Sequence, residues 1–189
     1  MMKKIIKAII IMAITASCAS MKDKVIERID NLKEKPEWAT LSKTTYVKDG
    51  IVYSVGFAES DGAAKISSLI KLASHNAKTN LTKEIANSIG AVYQAVEEGT
   101  TGNDLSRYIG TEKSLVLAHE IRHEKTYYEK VLTNTAVNER ELHIQMYALV
   151  GIPEGILRKL IKDSLNEQKS ISNELKAKVD KQLDKLLDN

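Results

Sequence analysis

The longest unbroken pattern of hydrophobic and polar positions covers residues 61–98. Its apolar residues recur at steps of three and four, which is the spacing of one face of an α-helix. They are Ile66, Ile70, Ala73, Ala77, Leu81, Ile85, Ile89, Val92 and Val96. Such a stripe is stable only against another apolar surface. We therefore predict a long helix at the centre of the fold, with Ser60 or Asp61 as its N-cap.

Two segments ahead of this helix alternate between polar and apolar residues with a period of two. Residues 45–47 and 51–58 are rich in β-forming residues, and Asp49-Gly50 between them is a strong hairpin signal. One face of the second strand would carry Ile51, Tyr53, Val55 and Phe57. Gly56 interrupts this strand, which predicts either a bulge or the close approach of a helix.

Two further strands are predicted later in the chain. Residues 126–137 are β-rich, and residues 142–150 have the most regular alternation in the sequence, with His143, Gln145 and Tyr147 between apolar residues. Residues 104–125 favour a helix, but their apolar residues gather into no single stripe, so a strand also stays open.

Both ends of the predicted domain have helical spacing. In residues 21–34, Val25, Ile26, Ile29 and Leu32 predict a short amphipathic helix that Pro36 ends. Pro153 suits the first turn of another helix, which continues through Ile156, Leu157, Leu160, Ile161 and Leu165. A last amphipathic run carries Ile171, Leu175, Val179, Leu183 and Leu187, and it could pack within the chain or form a homo-oligomer.

The first residues have the features of a secretory signal peptide. Three lysines precede an apolar run over residues 8–14, and small residues follow it up to Cys18, the only cysteine. The run is too short to span a bilayer, and a single cysteine excludes an intramolecular disulfide. Residues 14–18 resemble the lipobox of bacterial lipoproteins, although Thr15 stands where leucine is usual. We therefore expect an exported protein with lipid on Cys18, and Ala19 favours sorting to the outer membrane.

The charge balance changes when the signal peptide is removed. Lysine and arginine number 28 against 25 aspartates and glutamates, and the three signal lysines account for the whole excess. The basic pI therefore comes from the signal peptide, and we expect no nucleic-acid partner for the mature protein.

Four short motifs resemble the LPP-twenty (lipoprotein 20) family of bacterial outer-membrane lipoproteins. They are Pro36-Glu37-Trp38, Tyr53-Ser54-Val55-Gly56-Phe57-Ala58, the segment from Ala73 to Ile85 with Ala77, Asn80 and Leu81, and Met146-Tyr147-Ala148-Leu149-Val150. The resemblance covers roughly residues 36–153. It implies a compact domain tethered to the outer membrane, without known chemistry, in a family of which some members serve flagellar assembly or motility.

The one chemical motif is His119-Glu120-Ile121-Arg122-His123, the H-E-x-x-H pattern of zinc metalloproteases. On a helix, His119 and His123 could bind one zinc ion, Glu141 or His143 could complete the site, and Glu120 could activate a bound water. Arg122 and Glu124 place charges where that signature normally avoids them. In an extended chain, residues four apart are about 13 Å apart and cannot bind one ion. His75 is expected to be a surface residue of the long helix.

Together these patterns predict an α+β fold: a two-layer domain with a long helix packed on a small, mainly antiparallel sheet, plus C-terminal helices. The divisions are a signal peptide at 1–17, a lipidated linker helix at 18–35, an LPP-twenty-like domain at 36–153 and a helical extension at 154–189. The leading hypothesis is a non-enzymatic, membrane-anchored lipoprotein without a cofactor that acts by contact with envelope proteins. The alternative is a zinc-dependent hydrolase using His119, Glu120 and His123.

Overall fold

The computed structural model describes residues 23–40, 44–94, 119–134 and 140–167, together with 173, 174, 176–178, 180 and 181. Its strands are β1 (Lys24–Arg28), β2 (Thr45–Lys48), β3 (Ile51–Asp61), β4 (Arg122–Asn134) and β5 (Arg140–Pro153). Its helices are α1 (Glu37–Thr40), α2 (Ile66–Gln94) and α3 (Glu154–Glu167). The strands form one sheet in the order β1-β4-β5-β3-β2, and every neighbouring pair is antiparallel. The predicted α+β class is confirmed.

The predicted hairpin is present as β2 and β3. Asp49 and Gly50 both have positive φ angles, 53° and 70°, which is the geometry of the tight turns that match the twist of antiparallel strands. Along β3, the residues that face α2 are buried, and those that alternate with them are more accessible. The buried set is Val52, Ser54, Gly56 and Ala58. The predicted set that begins with Ile51 therefore lies on the sheet face away from α2.

The central helix packs on β3 and β5 through the predicted stripe. Its buried residues are Leu69, Ala73, Ala77, Leu81, Ile85 and Ala86, and Ile66 and Ile70 pack against this core. Gly56 is a site of close helix approach, because a Cβ atom there would collide with the backbone of Ala73 and Ala77. The N-cap prediction is wrong, since β3 continues to Asp61, which pairs with His143. Asp61 instead shapes the turn before α2 by accepting a hydrogen bond from the Ala63 N–H, at 3.1 Å.

The predicted amphipathic helix over residues 21–34 is wrong. Lys24–Arg28 is an edge strand, with Val25 paired to Val131 of β4, and a short turn follows at Ile29–Asn31. Asp30 and Asn31 have φ angles of 52° and 53°, which no right-handed helix allows. The spacing of four apolar residues in so short a segment is compatible with a helix or a strand. Pairing with the edge of β4 makes it a strand.

The folded unit is wider than the predicted boundaries of 36–153. Strand β1 completes the sheet on one side. On the other, Leu157, Ile161 and Leu165 of α3 enter the same core cluster as Ile152. Pro153 ends β5 instead of opening a helix, and the Glu154 N–H donates to Gly50 O at 2.9 Å. The predicted helix after Pro153 is otherwise confirmed.

Several predictions lie outside the described residues: the signal peptide, Cys18, most of the 104–125 segment, and Ile171, Leu175, Val179, Leu183 and Leu187. Within the described part of the 104–125 segment, His119 and Glu120 are helical and Arg122 begins β4. Near the carboxyl end, Lys162 Nζ of α3 lies 2.9 Å from Asp180 Oδ2, so this part of the last run contacts α3. No helix among the described residues has the length and apolarity needed to cross a membrane.

Candidate functional site

The sheet face away from α2, here called the outer face, carries a row of aromatic rings. Tyr127, Tyr147 and Phe57 lie in register on β4, β5 and β3. Their ring centroids are 5.9 Å apart for the first pair and 5.0 Å for the second, which are favourable separations for tilted aromatic contacts. This row is possible because strand residues two apart share a face and antiparallel partners stand directly opposite one another.

Beside this row, the outer face contains a cavity of about 630 Å³. Its floor is formed by residues of the three central strands, and its walls come from α1, β2 and the Asp49-Gly50 turn. The lining residues are Glu37, Trp38, Tyr46, Val47, Lys48, Asp49, Tyr53, Glu124, Lys125 and Leu149. The volume falls in the range of small-ligand and side-chain pockets. We refer to it as the outer-face cavity.

Aromatic rings form one wall of the outer-face cavity. Tyr46 of β2 stacks on Tyr53 of β3 with centroids 5.4 Å apart and ring planes inclined by 29°. Burial raises the pKa of Tyr46, and the neighbouring Tyr53 and Glu37 raise it further. The Tyr46 phenol therefore stays neutral at physiological pH. Gly151 leaves room for the Tyr53 ring, because a Cβ atom on Gly151 would lie 3.2 Å from Tyr53 Cδ1.

A β-bulge brings two charged side chains to the cavity. His123 pairs with Val150 and Lys125 pairs with Leu149, so Glu124 is an extra residue without a partner on β5. Such a bulge redirects side chains locally. As a result Glu124 and Lys125, although consecutive in the strand, both line the same cavity.

The segment after β1 crosses the outer face and is held there by a buried carboxylate. Glu129 accepts hydrogen bonds from Lys35 Nζ at 3.2 Å and from the Tyr127 hydroxyl at 3.0 Å, and Arg28 Nε lies 3.5 Å away. Lys35 Nζ also lies 3.8 Å from the centroid of the Tyr147 ring. Burial, and then the contact with Glu129, raise the pKa of Tyr127 to about 12. This cluster fixes the segment that leads to α1, and α1 forms one wall of the cavity.

The H-E-x-x-H residues do not share a helix. His119 and Glu120 are helical, whereas His123 belongs to β4. Both ring nitrogens of His123 are within hydrogen-bonding distance of hydroxyl groups: Nδ1 lies 3.0 Å from Ser74 Oγ, and Nε2 lies 2.8 Å from Thr126 Oγ1. The His119 side chain is 89% exposed, and its Nδ1 lies 4.0 Å from Glu120 Oε1. The arrangement in which two histidines one helical turn apart bind zinc is therefore not formed.

The proposed third ligands lie at the far end of the sheet. His143 Nδ1 lies 3.3 Å from Glu59 Oε1, and His143 Nε2 lies 3.5 Å from Glu141 Oε2. His123 pairs with Val150, seven positions along β5 from His143, which is roughly 23 Å at about 3.3 Å per residue. Among the residues that the structure describes, no three His, Cys, Asp or Glu side chains come together as metal ligands. His75 is exposed on α2, as predicted.

The outer-face cavity was not predicted from the sequence. The sequence placed Trp38 in a short motif, Tyr53 on one face of a predicted strand and Glu124 beside the H-E-x-x-H motif, but it gave no reason to bring them together. A period-two reading of 45–53 does place Tyr46 and Tyr53 on paired strands. The sequence pattern predicts neither the bulge at Glu124 nor the path of residues 29–40 over the sheet.

No protein-family model matches this chain, and no curated protein or solved structure matches it either. The resemblance to the LPP-twenty family therefore stays a prediction from its motifs. Three of those motifs contribute lining residues to the outer-face cavity: Glu37 and Trp38 from the first, Tyr53 from the second and Leu149 from the last.

Proposed function

We propose that this protein is a non-enzymatic lipoprotein of the bacterial outer membrane, resembling the LPP-twenty family, that acts by contact with other envelope proteins. Lipid on Cys18 anchors it after export, and the folded domain supplies the contact surface. Motility-related assembly is the setting that the family resemblance favours. The lipobox-like residues 14–18 support the anchor.

The observation that carries the contact role is the difference between the two faces of the sheet. Helix α2 closes one face over a buried apolar core, whereas the outer face leaves an aromatic cavity with a charged rim. Tyrosine and tryptophan are enriched in the centres of protein interfaces, and polar residues in their rims. Trp38, Tyr46 and Tyr53 inside a rim of lysines and carboxylates have this composition.

Membrane fractionation tests the anchor. Cys18→Ala should move the protein from the membrane fraction to the soluble fraction, because stable anchoring needs the acyl chains. Ser20→Ala, two residues away, is the matched control and should stay with the membrane. Mass spectrometry should find acyl chains on the wild-type amino terminus. Retention of Cys18→Ala in the membrane fraction, or an unmodified thiol, would contradict the proposal.

Site-specific photo-cross-linking in the native cell tests the contact role. A cross-linking residue at Lys48, on the cavity rim, should trap a discrete envelope protein. The same residue at Lys71, exposed on α2, is the control and should trap much less of it. Equal yields from the two positions, or no product from Lys48, would argue against a contact surface at the outer-face cavity.

A further inference from the structure

The outer-face cavity combines aromatic rings with an excess of carboxylates. Glu37, Asp49 and Glu124 line it, against Lys48 and Lys125. Within the described part of the chain, none of the three carboxylates has a side-chain hydrogen bond or an ion pair. The faces of the rings add negative potential to that of the carboxylates. Both features favour a cation over an anion.

The same sheet face already holds one ammonium group in this way. Lys35 Nζ lies over the Tyr147 ring and contacts Glu129 at the same time. One ring face and one carboxylate are therefore enough to hold a lysine on this surface. In the neighbouring cavity, Glu37 lies close enough to Tyr46 to affect its phenol, and Tyr46 stacks on Tyr53.

We propose that the outer-face cavity binds the side chain of a lysine or arginine from a protein partner, with the cation against the Tyr46, Tyr53 and Trp38 rings and paired with Glu37. This inference rests on the proposed contact role and names the chemistry of the partner residue. A cation within about 6 Å of a ring centroid is attracted by the quadrupole of the ring, and the attraction grows as water is excluded. Arginine fits best, because its planar guanidinium can stack on a ring and still donate to a carboxylate.

The lysines on the rim limit the sequence around that cation. Lys48 and Lys125 would repel a second positive charge next to the first. The favoured partner segment is therefore a single arginine or lysine flanked by neutral or acidic residues, and a polybasic stretch is disfavoured.

Trp38 is the only tryptophan in the chain, so its fluorescence reports directly on the cavity. The full chain, purified in detergent, is titrated with the capped peptide Gly-Arg-Gly and with the same peptide carrying citrulline, a neutral isostere of arginine. We expect a saturable change with the arginine peptide and binding weaker by about tenfold or more with citrulline. Equal binding of the two peptides, or no saturable change, would overturn the proposal.

Variants of residues inside and outside the cavity show whether the fluorescence change comes from binding in the cavity. Glu37→Gln should weaken arginine-peptide binding about tenfold, and Tyr53→Leu should weaken it further. Glu34→Gln removes an exposed carboxylate that does not line the cavity and should leave binding unchanged. Circular dichroism establishes that each variant is folded, and a folded Glu37→Gln protein with unchanged affinity would refute the role of Glu37.

Two further readouts separate the possible failures. An N-acetylglucosamine oligomer is titrated in parallel, and a saturable response to it without a response to the arginine peptide would replace the cationic ligand with a carbohydrate. If cross-linking from Lys48 succeeds while the peptide does not bind, the contact role stands and the cationic ligand is wrong. If neither succeeds, both are wrong.

Discussion

Gly56 of β3 and Ala77 of α2 pack backbone against backbone. A Cβ atom on Gly56 would lie 2.8 Å from Ala77 Cα and closer still to Ala77 N and Ala73 O. Neither neighbour can move away as a flexible side chain would, because each belongs to the helix backbone. The distance between α2 and the sheet is therefore set by the absence of a side chain at this position.

Gly56→Ala should destabilise the fold strongly. The added methyl group must push α2 from the sheet, and overpacking of this kind costs about 1–3 kcal/mol, here toward the upper end. Gly155→Ala is the matched control, because a Cβ there meets nothing within 4 Å and alanine is the better helix former. Urea denaturation should show a lower midpoint for the first variant and an equal or higher one for the second. An unchanged midpoint for Gly56→Ala would show that the helix can shift freely.

The fold was predictable where one pattern extended over many residues. The stripe of α2 is long enough to identify a helix, and the alternation in residues 142–150 identifies β5. The Asp49-Gly50 turn fixed the register of β2 and β3, because only certain turns suit a tight hairpin.

The sequence failed where a segment was short and its partner distant. Lys24–Arg28 has helical spacing but pairs with β4, more than a hundred residues later in the chain. For the same reason the sequence left helix and strand open at the H-E-x-x-H motif, where β4 begins at Arg122 and carries His123 into the sheet. In segments of about five residues, pairing with a distant strand decides between helix and strand. The local sequence pattern contains no information about that pairing.

Asn76→Ala should weaken the contact between α2 and β3. Among the described residues, β2 and Thr44 pair with β3 as far as Val55, and the Phe57 carbonyl beyond them accepts a hydrogen bond from Asn76 Nδ2 at 2.8 Å. Loss of this bond should lower the free energy of unfolding by about 1 kcal/mol. Asn87→Ala, at an exposed position of the same helix, should have almost no effect. Equal effects of the two variants would show that the bond contributes nothing.

Glu129→Gln should loosen the segment that crosses the outer face. Its carboxylate is 7% exposed and faces both Arg28 and Lys35, so the neutral amide leaves two cations without their counter-charge. Breaking a buried pair costs about 3–5 kcal/mol, and the partial exposure of both cations reduces this to about 2 kcal/mol. Hydrogen exchange should rise over residues 29–40, while Glu84→Gln on α2 should leave it unchanged. A variant as stable and as protected as wild type would show that Glu129 does not hold this segment.

The protein should lose stability at alkaline pH through Tyr127. Its pKa is raised from 10.0 in the unfolded chain to about 12, so the folded state binds the phenolic proton more tightly. This contribution, about 3 kcal/mol, is complete below pH 10 and is lost as pH rises from about 10 to 12. Tyr127→Phe should remove that part of the pH dependence. Thermal melting over this pH range, with phenolate absorbance as a second signal, checks it, and identical pH profiles for the two proteins would contradict it.

Zinc should not bind stoichiometrically through His119 and His123. The two residues lie on different elements, and both nitrogens of His123 already face Ser74 and Thr126. A metal at His123 would have to displace one of these hydroxyls and recruit His119 from solvent. The proteins are incubated with zinc and dialysed, and their zinc content is measured. It should be equally low for wild type, His123→Ala and His75→Ala. His75 is an exposed histidine outside the motif and serves as the control. Stoichiometric zinc in wild type that is lost only in His123→Ala would require the 119–123 segment to refold around the metal, and would restore the hydrolase alternative with Glu120 as its base.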